Sequence, residues 1–119
     1  IDPQLITHMI NLDMVGRLNF NDSLIVYATS SSSQWNEVLN NDSRVELNIK
    51  NIPGIFPRSD HASFIEAGIP SIMLHTGIHK DYHTPNDDFQ KIDGDGLTKI
   101  TEFILYTLQN LNRFSNSRP

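Results

Sequence analysis

Leu5-Ile6-Thr7-His8-Met9-Ile10-Asn11-Leu12-Asp13-Met14-Val15 is a nearly continuous apolar run that stops at Gly16. A β-strand buried on both faces reads this way, and such strands belong to α/β sheets. Outward from this run, strand and helix signals alternate. Leu24 to Thr29 is a second short strand, and the polar run Ser30 to Ser33 can cap the helix Gln34 to Asn40, with Trp35, Val38 and Leu39 on one side. Val45 to Ile49 is expected as a third strand, and Pro53, Gly54 and Pro57 make Ile52 to Arg58 a loop. Ser59 or Asp60 starts a helix that runs to about Ala67 and closes at Gly68; after Pro70, Ser71 to His75 is another buried strand. Thr76 to Asp95 is a polar loop, long enough in a compact domain to signal function or disorder. Leu97, Ile100, Ile104, Leu108 and Leu111 recur at helical spacing, with Phe103 and Leu105 widening the stripe, and Asn112 to Pro119 is expected to fray. The pattern predicts an α/β fold, a three-layer α/β/α sandwich.

Composition narrows the function. At 119 residues the chain is the size of one domain and can bury a core without staples. It has no cysteine, which excludes a disulfide scaffold, thiolate zinc sites, iron–sulfur clusters and a cysteine nucleophile. A net charge of −5 and a pI near 5.3 speak against nucleic acid as a partner. No apolar run approaches the roughly 20 residues of a membrane span. No signal peptide is visible. The chain opens on Ile1 and soon enters its first strand, so it is expected to be a cut from something longer.

In open α/β sheets, ligands gather at the carboxyl ends of strands. Two polar features fall there: Asp13, closing the first strand, and the loop after His75. A carboxylate after a buried strand is costly unless paired, hydrogen-bonded or metal-bound, so Asp13 is either a turn or cap residue or a metal ligand. His83 sits in Asp81-Tyr82-His83-Thr84-Pro85-Asn86-Asp87-Asp88, either a solvated turn or a zinc ligand with Tyr82 as a nearby hydrogen-bond donor. His75, His79 and His83 are four apart, but Thr76-Gly77 and Thr84-Pro85 bracket the segment and read as loop, so they do not form a helical metal stripe. His8 lies on the opposite strand face from Asp13, and His8, His75 and His79 are read as structural. Arg58-Ser59-Asp60-His61 opens a helix, as a cap or as part of a pocket.

Asn11-Leu12-Asp13-Met14-Val15-Gly16, Arg58-Ser59-Asp60-His61-Ala62-Ser63-Phe64, Ala67-Gly68-Ile69-Pro70 and Thr76-Gly77-Ile78-His79-Lys80-Asp81-Tyr82-His83-Thr84-Pro85-Asn86-Asp87 follow one another in that order. Together they resemble the co-catalytic dizinc aminopeptidases, the group of secreted bacterial leucine aminopeptidases and vacuolar aminopeptidase Y. The likeness runs from about Leu5 to Leu111 and matches the C-terminal part of that family's catalytic domain. The resemblance implies a zinc exopeptidase acting on peptides. Asp13 and His83 would each be a ligand to one of two zinc ions. Tyr82 would hydrogen-bond the tetrahedral intermediate, and Arg58 would stand beside the pocket for the substrate's amino group. Ser59 and Asp60 would shape that pocket. The chemistry is attack by a metal-activated hydroxide on a polarised carbonyl. Relatives are often exported.

The family's other ligands and its Glu-Glu pair lie upstream of the Asp13 segment. The glutamates here, Glu37, Glu46, Glu66 and Glu102, are not adjacent to one another. The chain by itself is therefore expected to be an inactive fragment without a tight dizinc site, and its open sheet edge to favour self-association. Ile55 and Phe56 could line an apolar pocket, whereas Phe64 reads as core. The alternatives are a glutaminyl cyclase-like acyltransferase on the same fold and a non-catalytic receptor-like or dimerisation domain.

Overall fold

The computed structural model describes residues 1–39 and 44–116. β1 (Met9–Leu12), β2 (Leu24–Tyr27), β3 (Ile49–Ile52) and β4 (Ser71–His75) form one mixed sheet in the order β1-β4-β2-β3. β1 runs parallel to β4, β2 antiparallel to β4, and β3 parallel to β2. Flanking them are α1 (Leu18–Asn21), α2 (Gln34–Val38), α3 (His61–Glu66) and α4 (Gly94–Asn116). No helix among the described residues is long and apolar enough to cross a membrane.

Strand register sorts side chains into two populations. Paired residues share a face, so Ile10, Ile72, Leu74 and Val26 lie together, with Leu24 two residues along. This face packs against Trp35 and Val38 of α2 and Ile100, Phe103 and Leu111 of α4 to form the core. Burying Leu, Ile and Phe side chains here stabilises the chain by about 1.5–3 kcal/mol each before entropy is counted. The opposite face carries Asn11, Met73, Tyr27 and His75, and α3 packs on β1 and β4.

Several elements depart from the expected boundaries. The first apolar run is not one long buried strand. Only Met9–Leu12 pairs, Pro3–Leu5 is a one-turn 3-10 helix capped by Asp2, and Leu12 is 47% exposed because β1 is an edge. The fully buried strand is β4, which has a neighbour on each side. The third strand is Ile49–Ile52, not Val45–Ile49. Pairing with β2 selects it, while Val45 is buried outside any strand. α2 ends at Val38; Asn40 lies outside the described residues. On α4 the buried stripe is Ile100, Phe103, Thr107 and Leu111, whereas Leu105 and Leu108 are exposed. Leu108 stands about 100° around the helix from Thr107 and so leaves the core face. The helix continues to Asn116 where fraying was expected; residues 117–119 lie outside the described residues.

α4 is seated by its first turn. Asp93 Oδ1 accepts from the Gly96 amide and Oδ2 from the Asn19 amide, which caps α4 and ties it to α1. Gly96 has no room for a side chain: a Cβ there would lie 2.7 Å from Leu18 Cβ.

Candidate active site

β1 and β4 are parallel, so Asp13 and the segment after His75 emerge at the same end of the sheet. The two ends are stitched together. The Asp13 amide donates to the Leu74 carbonyl at 3.0 Å, and the Thr76 amide and hydroxyl both donate to the Met14 carbonyl. A cavity of about 450 Å³ opens there, lined by Asp13, Phe56, Arg58, Ser59, Met73, His75, Ile78, Tyr82 and His83 among others. Five of the six residues singled out from the sequence line it. Asp60 does not. It occupies the N-cap position of α3, exposed and with no side-chain capping bond. Ser59 is not a cap either.

Ser59 turns to the sheet instead. Strand alternation puts Asn11 and Asp13 on one face. Asn11 Nδ2 donates to Ser59 Oγ at 2.7 Å, and Ser59 Oγ donates to Asp13 Oδ2 at 2.5 Å. This relay orients the Asp13 carboxylate and leaves Oδ1 without a protein hydrogen bond among the described residues.

His83 is delivered by a loop that ion pairs hold in shape. Arg17, directly after Gly16, donates Nη1 to Asp81 and Nη2 to Asp87, each at 2.7 Å, and Lys91 reaches Asp81 at 3.1 Å. Arg17 beside Asp81 holds that carboxyl below the usual carboxylate range, Lys91 adds to this, and burial opposes both. The Thr84 amide and hydroxyl both donate to the Asp81 carbonyl. His83 thus sits between two anchored positions, its ring stacked on Tyr82 with centroids 3.8 Å apart. At the loop's start, Gly77 has φ 106°, and a Cβ there would lie 2.5 Å from the Asn21 side chain.

Backbone strain gathers at the same cavity. Met14 (φ 62°), Phe56 (φ 47°) and His83 (φ 54°) are non-glycine residues in the left-handed region, and all three line it. Such conformations persist only where surrounding contacts over-determine them, and they cluster at functional sites. Phe56 is held by stacking on Tyr27 at 4.6 Å, and the Arg58 guanidinium lies 5.7 Å from the Phe56 ring centre. Ile55 is not in the wall; its carbonyl accepts from His61 Nε2, which ties the 53–60 loop to α3.

The remaining histidines divide as their contacts dictate. His8 packs edge-on against Trp35 and bonds Gln34, away from the site as its strand position implied. His79 is buried beside Phe20, with Nε2 3.9 Å from Asp87. His75 is anchored through Nδ1 to the Asp13 carbonyl at 2.9 Å, yet its ring also lines the cavity. Sequence reasoning passed over Arg17, Asn11 and His75. The signals were present: a cation directly after the strand-end glycine, upstream of an acid-rich loop; a polar residue two before Asp13; and a histidine closing a buried strand.

Carboxylate and imidazole are suitable zinc donors, and Asp13 and His83 face one cavity. The fit is one of type and not of number. No group of three histidine, aspartate or glutamate side chains able to hold a metal is present among the described residues.

A search of curated proteins found no match. Among solved structures, the LapA aminopeptidase of Legionella pneumophila shares the fold, with a TM-score of 0.71 at 20% identity. The match covers 88% of this chain and 31% of that one, so the chain spans about a third of its solved neighbour. The model of peptidase family M28 matches residues 3–108, nearly the whole chain, and the chain belongs to that family.

Proposed function

We propose that this chain is part of a zinc-dependent aminopeptidase that hydrolyses N-terminal residues from peptides. The observation that carries the reading is the meeting of Asp13 and His83, far apart in sequence, on the wall of one strained cavity. Asp13 and His83 would hold zinc, with Ser59 fixing one carboxylate oxygen so that the other is free to coordinate. Zinc, when bound, supplies Lewis acidity that polarises a peptide carbonyl and lowers the pKa of water. Tyr82, 40% exposed and in the cavity wall, offers a phenol to the oxygen on which charge develops. Arg58 and Ser59 wall the end that takes the substrate's N-terminal residue. Arg58 serves there through its stem and its stack on Phe56, because a guanidinium repels a free ammonium group. Two donors leave most of a coordination shell to water, so the chain alone holds zinc weakly and is inactive.

The test is zinc titration by calorimetry together with hydrolysis of aminoacyl-anilides, on the chain alone and joined to the remainder of an M28 domain. The joined protein should bind two zinc ions and cleave free but not N-acetylated anilides, and Asp13→Asn or His83→Gln should abolish cleavage. Equal cleavage of acetylated substrates, or full activity in either variant, would overturn the reading.

A further inference from the structure

The cavity contains a polar group that neither zinc binding nor the Tyr82 role uses. His75 is 6% exposed and closes β4, one of the two inner strands. Its Nδ1 lies 2.9 Å from the Asp13 carbonyl. A carbonyl oxygen only accepts, so Nδ1 carries a proton, and in the neutral imidazole Nε2 then carries the lone pair. Nε2 has no hydrogen-bond partner among the described residues, and it is not among the sealed-in polar atoms that lack one, unlike Nδ1 of His61 and His79. Its open side is therefore the cavity that the ring lines. The same cavity has apolar wall residues, Met14, Phe56, Met73 and Ile78, beside its polar ones. Tyr27, stacked on Phe56 and tilted against His75 at 6.3 Å, backs the ring and holds its plane. The tautomer is thus set by the backbone, and the orientation by an aromatic neighbour.

We propose that His75 Nε2 is a specificity-determining hydrogen-bond acceptor, which selects substrates whose N-terminal side chain ends in a donor, such as glutamine or lysine, over aliphatic ones. The inference rests on the aminopeptidase reading and adds the substrate class. A buried acceptor that a ligand leaves unpaired discriminates against that ligand, whereas an all-apolar pocket separates side chains only by size and shape. An acceptor with no proton to give also disfavours acidic side chains, which have no donor to offer.

Binding can be read without hydrolysis. The 119-residue chain, with ¹⁵N in its histidine rings, is titrated by NMR with glutamine amide, lysine amide and norleucine amide. Donor-tipped probes should bind roughly tenfold tighter than norleucine amide, a difference of about one hydrogen bond. They should also shift the His75 Nε2 resonance. His75→Asn keeps an amide able to reach the Asp13 carbonyl and removes the cavity-facing nitrogen; it should abolish the preference while the fold persists. His75→Phe should reverse it in favour of norleucine amide. Equal binding of the three probes, binding of none, or an unchanged preference in His75→Asn would overturn the proposal. A chain that shows the preference while the joined protein cleaves nothing would sink the peptidase reading and keep His75 Nε2 as the acceptor that selects donor-tipped ligands in this cavity.

Discussion

The two faces of the sheet do different work. On one, Leu24, Val26, Ile72 and Leu74 are sealed against Trp35, Ile100 and Phe103. On the other, alternate residues of the same strands are Asn11, Met73 and His75, followed by Asp13, and the cavity beyond them is ringed by three backbone-strained residues. Neighbouring positions in β4 thus serve opposite ends: the Leu74 side chain has no polar atom, while the His75 ring holds one bond and leaves a nitrogen open. The strained, polar side is affordable because the other side supplies the stability.

If that division is right, damage on the two sides should look different. The largest effect is expected from Phe103→Ala, which opens a hole in the core face: about 3–5 kcal/mol lost in urea denaturation, with the whole chain unfolding as one unit. A local effect confined to the loop would break the comparison. Next comes Arg17→Met, which strips the principal cation from Asp81 and Asp87. Global stability should fall less than in Phe103→Ala, while amide exchange over residues 81–87 accelerates and β4 amides keep their protection.

Acid should sharpen the same contrast. The Asp81 carboxyl titrates lower in the folded chain than unfolded, mainly through its bond to Arg17. Its contribution is therefore full above the unfolded value, about 4, and is lost as pH falls through the lower folded value. Asp81→Asn should be the less stable protein at pH 6, and the gap to wild type should narrow only once the pH falls below the unfolded value, through the lower folded one. A gap that stays constant would show that the carboxylate charge is irrelevant to the loop. The smallest change is expected from Ser59→Ala, about 1 kcal/mol for a part-buried relay. Its mark should be chemical instead: weaker zinc affinity in a joined M28 protein, because Asp13 loses its orienting bond.

Much of this was legible before the fold was known. The α/β class followed from apolar runs alternating with helical periodicity, and β4 and α4 fell close to where the pattern put them. Asp13 stood out because a carboxylate at a strand end demands an explanation, and His83 because it sits among aspartates in the long loop after β4 and fits the aminopeptidase resemblance. β3 was misplaced because Ile49–Ile52 contains Lys50 and Asn51, and only its pairing with β2 makes it a strand. Leu105 and Leu108 were misassigned because one apolar stripe was drawn wider than the face that α4 turns to the sheet. The resemblance implied a pocket role for both Ser59 and Asp60, yet consecutive residues at a helix start point in different directions, and only Ser59 lines the cavity.

Residue type and spacing alone settled the α/β class and the strand-end position of Asp13. These depend on local chemistry: which side chains tolerate burial, and which backbone a proline or glycine permits. Folding in three dimensions decided which apolar run is central and which is an edge, that Arg17 clamps the loop, that Ser59 serves Asp13, and that His75 presents its free nitrogen to the cavity. Each of these is a pairing between residues distant in the chain, and the geometry of such a pairing exists only once the sheet has set its strand order and register.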